Sequence, residues 1–170
     1  MVALQIRGFF LDQEKMPVVV LQDASGQRIL PIWIGPAEAR SIIVELEHIQ
    51  GERPLAHDIL ARTFLRHGFA MASLEIYGVS AERGYNARIR YRCAGRGYEL
   101  EVRPSDGLAL AVRLKAPVLA PARLLGPANL SSFIACLHDP CAALLFPAES
   151  GEGSQPEAEH SLQRGMLPFN

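Results

Sequence analysis

Apolar residues along this chain follow two rhythms that change over at prolines and glycines. Val2, Leu4 and Ile6 alternate with polar neighbours, the pattern of a strand with one buried face. Residues 17–21 are a β-branched run, and residues 23–26, Asp-Ala-Ser-Gly, give the turn signal before a strand over 28–34. From Pro36 the period becomes helical: Ala39, Ile42, Ile43, Leu46 and Ile49 share one face, and Gly51 is the expected stop. A second helix after Pro54 sets Leu55, Ile59, Leu60 and Phe64 toward the core, with Gly68 as its C-terminal stop. Residues 70–79, 85–93 and 98–102 read as strands connected by 80–84 and 94–97. The helix over 104–115 is apolar nearly all round and therefore buried, 117–125 reads as extended, and 130–137 as a short helix.

Strands, helices, strands and a helix, in that order, predict an α+β fold: a mainly antiparallel sheet with helices packed against it rather than repeating βαβ units. Strands leading into Pro36-x-Glu38 and strands leading into Pro104-x-Asp106 suggest two related strand-strand-strand-helix units. After Pro147 the composition turns to Glu, Ser, Gly, Pro and Gln, so residues 1–146 are expected to form one domain and 147–170 an acidic, solvated tail.

The 170 residues, 49% of them hydrophobic, suffice for one packed core. No apolar run approaches the roughly 20 residues of a membrane span, and the N-terminus lacks the basic-then-apolar order of a secretory signal. A cytoplasmic protein that does not enter the membrane is the expectation. The cysteines at 93, 136 and 141 are odd in number and give no disulfide framework. Cys136-Leu-His-Asp-Pro-Cys141 lacks the second ligand pair of a structural zinc site, so free thiols are the reading. The net charge of −1 hides an asymmetry, because residues 147–170 sum to −3 and leave the rest at +2.

Three helix starts share one grammar: Gly35-Pro-Ala-Glu-Ala39, Arg53-Pro-Leu-Ala-His-Asp58 and Arg103-Pro-Ser-Asp106. Proline suits a first helical turn, and an acid there complements the helix dipole. Ser105 or Asp106 can also accept a hydrogen bond from a free N–H of that turn. Capping does not require His57, Arg53, Arg103 or the later Arg113. If the helix starts converge, Glu38, His57, Asp58, Ser105 and Asp106 share one site with Arg53 and Arg103.

Arg88, Arg90 and Arg92 alternate with Ala87, Ile89 and Tyr91 and so lie on one face of a strand. A four-residue loop over 94–97 would pair Cys93 with Tyr98, setting Arg92 opposite Glu99, Arg90 opposite Glu101 and Arg88 opposite Arg103. Two of these pairs are complementary. The third places like charges side by side at the entry to the helix at 104, and points to an anion or to Asp106 and Glu38 as the neutralising partner.

These residues resemble the bifunctional nuclease domain family. The likeness rests on Leu30-Pro-Ile-Trp-Ile-Gly-Pro-Ala-Glu-Ala39, Arg53-Pro-Leu-Ala-His-Asp58, Arg103-Pro-Ser-Asp106 through Arg113, and Lys115-Ala-Pro-Val118, and spans about residues 1–130. It implies an α+β fold, a homo-oligomer with a dimer favoured, and nuclease activity on DNA and RNA, with Glu38, His57, Asp58, Arg103, Ser105, Asp106 and Arg113 at signature positions. Two departures stand out: Ala56 where a Thr is common, and Gly107 where Ala is usual, expected to loosen the helix start by about 1 kcal/mol.

Phosphodiester hydrolysis needs an activated water, charge stabilisation and a proton for the leaving oxygen. In the nuclease reading Glu38, Asp58 and Asp106 hold Mg²⁺ or Mn²⁺ and, with His57 as proton shuttle, form the catalytic set. Arg53, Arg88, Arg103, Ser105 and Arg113 bind the nucleic-acid substrate. The alternative is a non-catalytic regulatory or anion-binding protein. There His57 and Asp58 pair with Arg103 and Arg113 as a structural network, which persists only with nearly complete hydrogen bonding. Trp33 is read as core, with stacking on a ligand as its other use.

Overall fold

A computed structural model of the protein describes residues 1–80 and 84–128. The expected helix at 130–137, Cys136, Cys141 and the acidic tail lie outside the described residues. Among the described residues, strands β1 (Val2–Leu11), β2 (Pro17–Asp23), β3 (Arg28–Trp33), β4 (Ala70–Ser80), β5 (Gly84–Cys93), β6 (Arg96–Val102), β7 (Val118–Ala120) and β8 (Gly126–Pro127) form one sheet. Helices α1 (Pro36–Leu46), α2 (Ala56–Arg66) and α3 (Pro104–Leu114) accompany it. Sheet order is β6-β5-β4-β7-β1-β2-β3-β8. Every neighbouring pair is antiparallel except β4 with β7. The fold is therefore α+β, and two β-β-β-α units, β1–β3 with α1 and β4–β6 with α3, spread outward from the short strand β7.

The alternation read from the sequence explains the layering. Leu21, Leu30, Leu74, Ile76 and Ile89 point to the helix side and meet Ile42 of α1 and Leu108 of α3 in the main core. On β1–β3 the other face is covered too: Val18, Val20 and Ile29 pack with Phe10 and Trp33. Trp33 is thus a packing residue whose Nε1–H donates to Asp12 at 3.0 Å. Asp23 is buried at the β2–β3 turn, where Oδ1 accepts the N–H groups of Gln27 and Arg28 and Oδ2 accepts from Ser25 and Arg28 Nε.

Local chemistry sets the helix ends. At the end of α2, Gly68 takes φ +70°. The Phe69 N–H reaches Phe64 O, the Gly68 N–H reaches Leu65 O, and the Phe64 and Phe69 rings meet edge to face, a Schellman stop with its apolar contact. Helix α1 ends at Leu46, before Gly51, because His48 adopts φ +54° and turns the chain out of the helix. Ile49 is left outside the buried face. The expected inward stripe of α2 is also narrower than its apolar pattern. Ala61 and Phe64 are buried, whereas Ile59 and Leu60 are exposed, because α2 packs at the periphery, mainly against α3 and β4. The stretch 117–125, expected to be extended, divides into β7 and a 3₁₀ turn over Ala122–Leu124.

The β5–β6 register differs from expectation by two residues. Ala94 and Gly95, both at positive φ, make a tight two-residue turn, so Cys93 pairs with Arg96 rather than with Tyr98. Arg92 faces Gly97, Arg90 faces Glu99 and Arg88 faces Glu101. The predicted Arg88–Arg103 juxtaposition does not occur. A two-residue hairpin turn with positive φ matches the twist of the strands better than the four-residue loop did.

Candidate functional site

The three helix starts do come together, Pro36 and Pro104 opening α1 and α3 whereas α2 opens at Ala56 with Pro54 outside it, and they sort into an outer cluster and an inner clamp. Arg103, the residue before α3, is the hub of the outer cluster. Its Nε donates to Asp106 Oδ2 at 2.8 Å and its Nη2 to Asp106 Oδ1 at 3.1 Å and Glu38 Oε1 at 3.0 Å. Hydrogen bonding to Asp106, with the charges of Asp106 and Glu38, pushes its pKa further up and keeps the guanidinium charged. Glu38 and Asp106 stand at equivalent places in the first turns of α1 and α3, where the helix dipoles favour acids. His57, in the first turn of α2, places Nε2 3.5 Å from Asp106 Oδ1. Its Nδ1 lies 3.0 Å from Ser41 Oγ.

Gly35 makes room for this arrangement. A Cβ at that position would collide with Glu38 Oε2 and displace the carboxylate that Arg103 binds. Ser105 is buried and takes no part in the cluster's hydrogen bonds. The capping expectation for Ser105 and Asp106 fails. Arg103 occupies the N-cap position, α3 has no side-chain cap, and both Asp106 oxygens are turned to Arg103.

The inner clamp centres on Arg113, whose side chain is only 3% exposed. Its Nε donates to Asp58 Oδ1 at 2.6 Å, Nη1 to Ala109 O at 2.9 Å and Nη2 to Ser41 O at 3.1 Å. Asp58 Oδ2 accepts the Leu55 N–H at 2.6 Å, the reciprocal half of a capping box. Burial favours the neutral acid at Asp58. Hydrogen bonds from Arg113 and Leu55 and the charges of Arg113 and Arg62 outweigh it and hold the carboxyl below the ordinary carboxylate range. The clamp joins α1, α2 and α3, and Ser41 belongs to both groups: its hydroxyl meets His57 and its carbonyl meets Arg113.

Sequence reasoning missed Ser41. The available signal was a polar residue between Ala39 and Ile42 on the buried face of α1, since a buried hydroxyl needs a partner. Two residues grouped with the site from sequence stand elsewhere. Arg53 is exposed and lines a separate cleft beside α2. Arg88 lies on the sheet face away from the helices, its Nε on Glu75, its Nη1 on Glu99 and its guanidinium over the Tyr77 ring. Glu75 is buried there, and Arg88 and Arg90 form a neutralised ion lattice with Glu75 and Glu99, whereas Arg92, opposite Gly97, lies outside it.

Among the described residues, no three His, Cys, Asp or Glu side chains gather as a metal-binding group. The donor chemistry gives the reason. Both oxygens of Asp106 accept from Arg103, one of Glu38 does, and both of Asp58 are taken by Arg113 and Leu55. A divalent cation among these acids would have to displace a guanidinium, so the arrangement in this structure does not fit one.

An imidazole set between a serine hydroxyl and an aspartate, beside an exposed guanidinium, at the meeting point of three helix starts in an α+β fold, defines a compact polar centre. The chain matches the bifunctional nuclease domain model over residues 19–132 and belongs to that family. It is also similar to two uncharacterized proteins of Mycobacterium tuberculosis, from strains CDC 1551 / Oshkosh and H37Rv. Each is 30% identical to it over 128 residues, covering 75% of this chain and 76% of theirs. Among the described residues no helix is long and apolar enough to cross a membrane.

Proposed function

We propose that the chain is a nuclease whose working centre is the outer cluster of His57, Asp106, Arg103 and Glu38. The observation that supports this reading is His57, poised between Ser41 and Asp106 beside a guanidinium that is 68% exposed. With Ser41 Oγ accepting from Nδ1–H, the Nε2 lone pair takes a proton from the attacking water. Asp106 then stabilises the imidazolium that forms. The new P–O bond to water replaces the bond to the leaving oxygen, and His57 returns its proton to that oxygen. Arg103 Nη1, which has no protein acceptor among the described residues, holds a phosphate oxygen. Glu38 keeps the guanidinium in place. Asp58 and Arg113 are positioning residues that fix α2, and with it His57.

One observation favours a second, non-catalytic reading: every oxygen of Asp58 and Asp106 is already satisfied within the protein, as in a finished structural network. Cleavage of single-stranded RNA and DNA by highly purified wild type, with and without EDTA and added Mg²⁺ or Mn²⁺, tests the two. The nuclease reading expects cleavage that is lost in His57→Ala and Asp106→Asn with melting temperatures unchanged. Wild type that cleaves under none of these conditions leaves the anion-binding protein. Exposed Ile59, Leu60 and Leu65 on α2 support the homodimer expected from the resemblance, which sedimentation tests. Cytoplasmic residence belongs to the same proposal and agrees with the free Cys93 thiol.

A further inference from the structure

A cleft of about 920 Å³ lies between α1, the connection after it and α2. Arg40 comes to it from α1, Arg53 from the connection and Arg62 from α2. All three are exposed, and among the described residues none makes a hydrogen bond or an ion pair through its side chain. The acids nearby offset them only in part, Asp58 acting on Arg62 by its charge alone. Asp58 is committed to Arg113 and the Leu55 N–H, and Glu45 stands 3.9 Å from Arg113 Nε. With that pair neutral, three guanidinium groups face Glu45 and Glu52, and the cleft is net positive. The lining also includes the apolar side chains of Val44, Ile49 and Leu55, of which Ile49 is 55% exposed.

We propose that this cleft binds the phosphate of a nucleotide unit. The guanidinium forks take its oxygens, and the apolar side chains take the sugar or base. A single carboxylate has too few acceptor positions for three forks, whereas a phosphate presents three or more oxygens around a tetrahedron. Cavities of this size hold small organic ligands with a few polar anchors on apolar walls. The site is separate from the His57 cluster and does not depend on hydrolysis there. The bound phosphate belongs either to a free mononucleotide or to one end of a nucleic-acid strand.

Titration calorimetry of the full chain with inorganic phosphate, AMP and a short single-stranded phosphorothioate oligonucleotide separates these sources. Saturable AMP binding that the oligonucleotide does not exceed identifies a mononucleotide site. Oligonucleotide binding about tenfold tighter than AMP identifies a strand end. Both depend on the same arginines: Arg53→Ala or Arg62→Ala weakens binding about tenfold, and the triple change with Arg40→Ala removes it. The corresponding triple lysine variant recovers part of the affinity, because charge remains and the fork is lost. Arg92→Ala, an equal change of charge on β5, has no effect. Melting curves confirm that each variant is folded. The proposal is overturned if wild type binds neither AMP nor the oligonucleotide, if the triple alanine variant binds like wild type, or if Arg92→Ala weakens binding as much as Arg53→Ala.

Discussion

Replacing Asp58 by Asn removes one charge and one acceptor from the inner clamp, and the structure sets the cost. Asp58 serves two donors with two oxygens: Arg113 Nε at one and the Leu55 N–H at the other. Asparagine offers one oxygen, so its amide must face either the guanidinium or the backbone N–H, and a hydrogen bond is lost. A bond of this type, to an ionised partner, contributes about 1.5–3 kcal/mol. Breaking a fully buried pair costs about 3–5 kcal/mol. Asp58 is 25% exposed, and Glu45 stays 3.9 Å from Arg113, so the lower end applies. We expect Asp58→Asn to lose about 3 kcal/mol in urea denaturation monitored by circular dichroism. Asp106→Asn, facing the exposed side of Arg103, should leave the midpoint nearly unchanged. Adding Arg113→Met to Asp58→Asn should cost less than the two single changes summed, since the stranded charge goes with it. A difference between Asp58→Asn and wild type below about 0.5 kcal/mol would refute the division into clamp and cluster. Equal losses for Asp58→Asn and Asp106→Asn would refute it too.

Acid should expose the same clamp. The Asp58 pKa is depressed in the folded protein, so its contribution is complete above the ordinary carboxylate pKa of about 3.9. It is lost as pH falls through the lower folded value, and the stability–pH curve of Asp58→Asn should be flatter than wild type in that acidic window. Gly107→Ala should destabilise by about 1–2 kcal/mol despite a better helix propensity. Its Cβ would collide with Leu74 Cδ1 and approach Val102 Cγ2 to 3.2 Å; a rise in melting temperature would contradict this. Gly35→Ala should displace Glu38 from Arg103 and lower cleavage without altering the melting temperature, read in parallel assays of rate and unfolding.

Much of this was legible from local chemistry. Pro36 and Pro104 marked helix starts, Pro54 fell just short of one, and the apolar alternation of the strands gave the layers, because both effects act within a few residues. What escaped notice depended on tertiary placement. Ile59 and Leu60 carry the right period for burial, but the peripheral seat of α2 leaves them outside. The β5–β6 register turned on two residues entering positive φ at Ala94 and Gly95, where alanine is an uncommon choice. Gly107 read as a weak helix start; the cause of the glycine is Leu74, thirty-three positions earlier in the chain. The outer cluster was foreseeable as a convergence of charge. Its partition from the Arg113 clamp was not, since only packing decides which guanidinium is covered.

Strand β7 has a consequence for how the centre comes into being. It is three residues long and is the only strand between β4 and β1 in the sheet order, pairing Leu74 and Glu75 on one side and Val2 to Leu4 on the other. Glu38 is supplied by the unit on one flank of this seam, and Arg103 and Asp106 by the unit on the other. Neither half of the chain owns the cluster. Parting the two units would break the α1–α3 packing and the Arg113 clamp as well as the seam, and would take Glu38 from Arg103, so the Arg103–Glu38 contact reports whether the two halves have docked, much as a latch reports a closed door. Folding of one unit alone would leave Arg103 with Asp106 only, and the centre would exist only after the second unit had closed on it.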